Sequence, residues 1–178
     1  MTEKLVSIIM PVFNGAVFIS AAIVGVLNQS YKNFEFLVID DGSTDGSADA
    51  VKKFNDTRIR FIRHEANIGF IANWTYGVEE ARGRYIVIHG QDDIWRPNFI
   101  QRRIEAFDNN PSLMAATGAF EINNMDGSLI RYSKCPCDQD KILSGEELLR
   151  YALEYSGEWW IGATLYKANI VRELWPKI

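Results

Sequence analysis

An excess of basic side chains, histidine, cysteine and unbroken apolar runs are what this 178-residue sequence has least of. Lysine and arginine number 19 against 23 aspartates and glutamates, a net charge of −4. A protein that lives on nucleic-acid phosphates carries the opposite balance, so no nucleic-acid partner is expected. Cys135 and Cys137 are the two cysteines. They cannot build a disulfide framework and fall short of the four ligands zinc takes, so they read as loop thiols in a reducing, intracellular setting. His64 and His89 have no partners at metal-ligand spacing and read as structural, His89 standing nearest an acidic loop. Residues 5–31 hold no charge, which is long enough to cross a bilayer. Pro11, Asn14, Gly15, Ser20, Asn28 and Gln29 interrupt that stretch, so it reads as strand, turn and buried helix rather than a membrane span or signal peptide.

What is present is ordinary in amount and regular in order. Hydrophobic residues make up 47% and charged residues 24%, the balance of one globular domain. Apolar strand-like runs begin near residues 5, 34, 58 and 85, each followed by room for a helix. That is the βαβ rhythm of a mainly parallel sheet. The helix after residues 34–39 (FEFLVI) would turn Ala48, Val51 and Phe54 inward. The helix opened by Asn67-Ile68-Gly69 would bury Ile71, Trp74, Thr75 and Val78, and one starting at Pro97 would bury Ile100, Ile104 and Phe107. After Pro111 the rhythm changes. Residues 113–122 and 129–132 read as strands around an Asp126-Gly127 turn, and Ser144-Gly145-Glu146-Glu147 is a capping box. Residues 161–166 read as a strand and 168–174 as a last helix.

Ligands of open α/β sheets bind beyond the carboxyl ends of the strands. Here those ends carry Pro11 to Gly15, Asp40 to Asp45 and the Gly90-Gln91-Asp92-Asp93 loop. Brought to one edge, the carboxylates of Asp40, Asp41, Asp45, Asp92 and Asp93 would repel one another unless a hard divalent cation, Mg²⁺ or Mn²⁺, joined them. Either acidic loop alone reads equally well as a strand-to-helix turn with its cap. Both together, each ending a buried strand, favour a site.

Four blocks carry a resemblance: VSIIMPVFNG (6–15), FLVIDDGSTDGS (36–47), NIGFIANW (67–74) and YIVIHGQDDIWRP (85–97). In this order they resemble the family-two inverting glycosyltransferases, nucleotide-sugar enzymes of the GT-A fold. The resemblance implies an α/β, Rossmann-like, mainly parallel sheet with flanking helices and a short antiparallel addition in the C-terminal half. It implies one domain over 1–178, with a nucleotide-binding half at 1–110 and the start of an acceptor-binding half at 111–178. Pro11, Val12, Phe13 and Asn14 would line the base and ribose. Asp41 would accept a hydrogen bond from uracil or thymine, with Asp40 supporting its loop. Asn67, Gly69 and Asn73 would shape the wall near the diphosphate, and Gln91 and Asp92 would face the donor. Asp92, followed by Asp93, falls on the metal-binding acid of the family's Asp-x-Asp element.

There are departures. Gly90 stands where that element's first Asp is expected, and Ala72 where a basic residue often precedes Asn73. The family's general base belongs to an acidic element after a segment resembling residues 162–174 (GATLYKANIVREL). The reading favoured by sequence is therefore an N-terminal portion of a longer enzyme, binding a nucleoside diphosphate but transferring sugar poorly. Glu158, the acid beside Trp159 and Trp160, is the fallback candidate for the base. The expected reaction joins a sugar to a hydroxyl on a saccharide or lipid-linked acceptor, with inversion, in surface-polysaccharide synthesis. The family resemblance places it in the cytoplasm, peripheral to the inner membrane face. A degenerate, non-catalytic nucleotide-binding module is the alternative. A phosphoacceptor signalling domain is disfavoured because the first strand ends in Pro-Val-Phe-Asn rather than in paired acids.

Overall fold

The computed structural model of the chain describes residues 4–124, 126–133, 141–154 and 161–175. Cys135, Cys137, Glu158, Trp159 and Trp160 lie outside the described residues. The elements run β1 (Val6–Val12), α1 (Ile19–Leu27), β2 (Phe34–Asp40), α2 (Ser47–Lys52), β3 (Ile59–Arg63), α3 (Phe70–Glu80), β4 (Tyr85–Ile88) and α4 (Phe99–Asn109). Then come β5 (Ala115–Ala116), β6 (Glu121–Asn123), β7 (Leu129–Tyr132), α5 (Gly145–Glu154), a single 3₁₀ turn (Ile161–Ala163), β8 (Leu165–Lys167) and α6 (Ala168–Leu174).

Six strands form one sheet in the order β3-β2-β1-β4-β8-β5, with β6 and β7 as a separate hairpin. β1 pairs in parallel with both β2 and β4, β2 pairs in parallel with β3, and β8 runs antiparallel to β4 and β5. The mainly parallel sheet with an antiparallel C-terminal addition is thus observed. Buried parallel strands need apolar residues on both faces, and β1 supplies them alternately. Val6, Ile8, Met10 and Val12 face the layer holding Ile19, Ile23, Ile100 and Ile104, whereas Ile9 faces the layer of Val78, Ala81 and Ala168. Each such side chain taken fully from water contributes roughly 1.5–3 kcal/mol.

The uncharged stretch resolves into β1 and the nine-residue α1, and no helix among the described residues is long and apolar enough to cross a membrane. The capping box forms as expected: the Ser144 amide donates to Glu147 Oε2 (2.7 Å) and the Glu147 amide to Ser144 Oγ (3.2 Å). Three expectations need correction. Residues 113–122 are not one strand: β5 joins the main sheet and β6 leaves it for the hairpin. Residues 161–166 open as the 3₁₀ turn and become strand at Leu165. Helix α3 is rotated from the expected register. It buries Asn73, Gly77 and Val78, while Ile71 is 61% exposed.

Candidate active site

The strand order decides where a ligand fits. From β1 the chain moves to β2 and β3 on one side, then returns so that β4 lies on the other side of β1. Loops leaving β1 and β4 therefore part at their carboxyl ends, the topological switch point where open α/β sheets bind ligands. A cleft of about 390 Å³ opens there. Pro11 and Phe13 line it from β1, Asp41 from the loop after β2, and Phe70, Asn73 and Trp74 from α3. Ile88, Gly90, Gln91 and Asp92 line it from β4 and its loop, and Gly162 from the 3₁₀ turn. A smaller groove of about 250 Å³, between Thr75 and Val78 of α3 and Arg172 and Trp175, has no strand end in its lining.

The loop after β1 is held by side chains rather than by main chain. The amide of Phe13 donates to Gln91 Oε1 (3.1 Å), that of Asn14 to Ser43 Oγ (2.9 Å), that of Gly15 to Ser47 Oγ (2.9 Å) and that of Ala16 to Asp45 Oδ2 (2.9 Å). Asn14, at φ 48°, returns the tie by accepting from the Thr44 amide. Four successive N–H groups are thus consumed, so this loop is no anion-binding nest of the kind that cradles phosphates. Asp45 also accepts from the Ser47 hydroxyl. That bond, with the Ala16 amide, holds its carboxyl below the usual carboxylate range.

Asp40 is fully buried: Oδ1 accepts from the Ser43 amide (3.0 Å), and Oδ2 lies 3.3 Å from Arg63 Nε, near enough to pair but out of hydrogen-bond alignment. Asp41 is 2% exposed, and both its oxygens are engaged, Oδ1 by the Ile68 amide (2.7 Å) and Oδ2 by the Gly69 amide (3.0 Å). It ties the end of β2 to the entrance of α3. Gly69, at φ 91°, adopts there a conformation other residues avoid. Asn73, 2% exposed, donates to the Ile39 carbonyl (3.1 Å), while its Oδ1 and Trp74 Nε1 have no hydrogen-bond partner among the described residues.

On the other wall, Asp92 is exposed and Asp93 Oδ2 accepts from the Gly90 amide (3.2 Å). A Cβ on Gly90 would lie 2.8 Å from Asp93 Oδ2 and 3.0 Å from Asp92 Oδ1. Both carboxylates therefore converge on the space an acidic side chain at position 90 would enter. Two such oxygens fit a hard divalent cation that keeps water and diphosphate oxygens as its other ligands. The wider gathering of carboxylates expected from sequence does not form. Asp40 and Asp45 are spent on their own loop, and no group of three His, Cys, Asp or Glu suited to a metal occurs among the described residues.

A stack of rings backs the acidic loop. His89 lies on Trp95 (4.2 Å between centroids), Trp95 on Phe99 (4.0 Å), and the Arg103 guanidinium over Phe99 (3.6 Å). Trp95 Nε1 donates to the Gly162 carbonyl (3.1 Å) and Arg103 Nη2 to the Ala163 carbonyl (2.8 Å), which fixes the 3₁₀ turn against the cleft. Burial lowers the Arg103 pKa to about 10 and that of His89 to about 3, in the second case against the opposing pull of the Ala22 main chain and then of the Asp92 charge.

This order of loops is matched outside the chain. The model of the family described as Glycosyl transferase family 2 matches residues 7–166. The chain belongs to glycosyl transferase family 2. Among similar curated proteins is the UDP-Glc:alpha-D-GlcNAc-diphosphoundecaprenol beta-1,3-glucosyltransferase WfgD of Escherichia coli, 40% identical over 125 residues, covering 70% of this chain and 49% of WfgD. The putative teichuronic acid biosynthesis glycosyltransferase TuaG of Bacillus subtilis is 29% identical over 151 residues, covering 84% of this chain and 56% of TuaG. This chain thus spans about half the length of either relative. Among solved structures, S. aureus TarS 1-349 in complex with UDP-GlcNAc superposes with a TM-score of 0.71 at 18% identity, over 94% of this chain and 46% of that one. The mannosyltransferase PcManGT from Pyrobaculum calidifontis, in complex with GDP-Man and Mn2+, gives 0.65 at 18% identity, over 95% and 46%. At that identity the likeness establishes the GT-A fold.

In this family-2 chain the cleft brings together Pro11, Phe13, Asp41, Asn73, Gln91 and Asp92 of the residues expected from sequence. The others are placed elsewhere. Val12 is in the core, Asp40 is beneath the loop, Asn14 and Gly69 shape turns, and Asn67 is exposed outside the lining. Asp93 folds onto Gly90 beside Asp92. Sequence reasoning missed Phe70, Ile88 and Gly162 as lining residues; Trp74, read as core, does pack against the layer of Ile9 and Val78 and lines the cleft as well. The rings of Phe70 and Trp74 meet at a tilt with centroids 4.1 Å apart, and an aromatic pair at the start of a helix behind a strand end was the available signal.

Proposed function

We propose that the protein transfers a sugar from a UDP- or dTDP-linked donor to a hydroxyl on a saccharide or lipid-linked acceptor, with inversion, in surface-polysaccharide synthesis. The observation that carries this reading is the cleft at the β1/β4 switch point, which sets an aromatic ring, Phe13, opposite an exposed carboxylate, Asp92. Phe13 and Pro11 offer apolar surface to a nucleobase, and Asp92 with Asp93 offers oxygens to Mg²⁺ or Mn²⁺ beside its diphosphate. Two neighbours of the same fold were captured with UDP-GlcNAc and with GDP-Man and Mn2+, and WfgD is named for a UDP-linked donor and a diphosphoundecaprenol acceptor. An acceptor of that kind would place the enzyme on the cytoplasmic side, at the inner membrane face.

In the reaction the acceptor oxygen bonds to the anomeric carbon as the bond to the diphosphate breaks. The acceptor's proton passes to a general base, and the nucleoside diphosphate leaves. When bound, the cation supplies Lewis-acid neutralisation of the charge on that leaving group. Phe13 and Asp41 would fix the nucleoside end, so that the sugar lies toward Gly90 and Gly162.

A non-catalytic nucleotide-binding module is the competing reading, favoured by Gly90 at the place of the first acid. Thermal-shift and calorimetric titrations with UDP, dTDP, GDP and ADP, with and without MnCl₂, test the shared part. A hundredfold excess of UDP or dTDP over its Kd should stabilise the protein by ~2.7 kcal/mol. Indifference to all four nucleotides would overturn both readings. Release of UDP from UDP-sugars in the presence of acceptor separates transferase from module.

A further inference from the structure

We propose that Gln91 is a positioning residue: its carboxamide clamps the main chain of Phe13 and so joins the nucleoside wall of the cleft to the carboxylate wall. The inference rests on the reading of this cleft as a nucleotide site, and assigns a task to a side chain that the sequence offered only as a donor contact. Gln91 Oε1 accepts from the Phe13 amide at 3.1 Å and Nε2 donates to the Phe13 carbonyl at 3.2 Å. They satisfy both main-chain groups of Phe13 as the facing residue of an antiparallel strand would, a reciprocal pair that no single residue of the parallel β4 could offer. The β1–β4 ladder ends at Ile9 and Ile88, followed by one bond from the His89 amide to the Ile9 carbonyl. Beyond that point the strands part, and the Gln91 side chain spans the gap.

Its position is singular among the ties of this loop. Ser43, Ser47 and Asp45 hold residues 14–16 from the β2 side, whereas Gln91 holds residue 13 from the β4 side. The fit extends to Gly15. A Cβ there would lie 2.2 Å from Gln91 Oε1 and 2.4 Å from its Cδ, so the carboxamide lies flat over the glycine. Gly15 has no left-handed φ, so it is needed for space rather than for conformation. Glutamate at 91 could accept from the Phe13 amide but would turn a second acceptor toward the Phe13 carbonyl, and asparagine is one methylene shorter. Phe13 is 46% exposed at the rim and has little packing to orient it. Fixing its peptide in advance removes an ordering cost that nucleoside binding would otherwise bear.

The test uses the 178-residue chain and its Gln91→Ala, Gln91→Glu, Gly15→Ala and Gly15→Ala/Gln91→Ala variants. Amide exchange is read by NMR, and uridine and UDP affinities are measured without metal so that a cation held by Asp92 and Asp93 plays no part. In Gln91→Ala and Gln91→Glu the Phe13 amide should exchange roughly tenfold faster, with the amides of residues 14–16 unchanged. Uridine and UDP should both weaken by roughly five- to tenfold, what one exposed hydrogen-bond pair supports. Gly15→Ala should reproduce these effects, yet add less than about twofold once Gln91 is already alanine, since the two act through one contact. Unchanged exchange at Phe13, equal acceleration across residues 13–16, or additive effects of the two substitutions would each overturn the clamp. Failure of the parent to bind either uridine or UDP would instead overturn the nucleotide reading, and the exchange data would still decide the clamp.

Discussion

Asp41 and Asp92 share a cleft and differ in everything that sets their sensitivity to change. Asp41 is buried and receives two main-chain amides, so removing its carboxylate strands the N–H groups of Ile68 and Gly69. Unsatisfied buried donors cost about 1–3 kcal/mol each; these two amides are part-buried, which puts each toward the low end, and losing both loosens the entrance of α3. We expect Asp41→Ala to lose about 2–3 kcal/mol in urea denaturation, and tenfold or more in UDP affinity. Asp41→Asn keeps one acceptor oxygen and should lose about half of that stability. Asp92 is exposed, so Asp92→Ala should leave the urea midpoint in place. Its effect belongs to the cation. UDP affinity without metal should stay within about twofold of the parent, and the gain on adding MnCl₂ should vanish. A full Mn²⁺ gain in calorimetry of Asp92→Ala would show that the carboxylate pair over Gly90 does not hold the ion.

Helix α3 shows how an element can be legible in existence and misread in orientation. Its apolar spacing marked Ile71, Trp74, Thr75 and Val78 for burial, yet the side turned to the sheet is Asn73, Gly77 and Val78. Distance of approach made the difference. A Cβ on Gly77 would sit 2.4 Å from Ile9 Cγ2 and 2.9 Å from Ile39 Cδ1, so this face comes closer to β1 and β2 than any side chain allows. A periodicity count weighs hydrophobicity and is blind to the use of a glycine as a flat contact. Asn73 follows because its amide reaches the Ile39 carbonyl, and Phe70 and Trp74 then fall beside the cleft. Gly77→Ala is the sensitive test. Helix propensity alone favours alanine by about 1 kcal/mol. Overpacking against Ile9 and Ile39 should reverse the sign, for a net loss of about 1–2 kcal/mol in urea. Ile71→Ser, on the exposed side, should change stability by less than about 0.5 kcal/mol.

At the scale of the whole molecule, the parallel sheet was legible because each buried strand is a continuous apolar run and each strand end carries turn-forming polar residues. The loops of the cleft were found for the same reason. Which carboxylates would face a ligand was not legible, because Asp40 and Asp45 are claimed by amides and a guanidinium that only the folded loops bring near. Nor was the column of His89, Trp95, Phe99 and Arg103, which draws on the loop after β4 and on α4. That column carries a pH consequence. His89 is fully buried, and its pKa falls from an ordinary 6.5 to about 3. Between those values the unfolded chain binds a proton that the native protein refuses, so the native state loses ground as pH falls below about 6.5, by ~1.4 kcal/mol per unit. From pH 7.5 to 5.0 the loss due to His89 should reach ~2 kcal/mol in the metal-free protein. Carboxylates titrate in the same range, so the comparison must be with a protein that keeps them. His89→Phe preserves a ring against Trp95 and removes the titrating nitrogens, and its urea stability should fall less over that interval by the same ~2 kcal/mol. Equal pH slopes for the parent and His89→Phe would mean that the imidazole takes up its proton in the native state, and that the packing of the ring column against the acidic loop is looser than described.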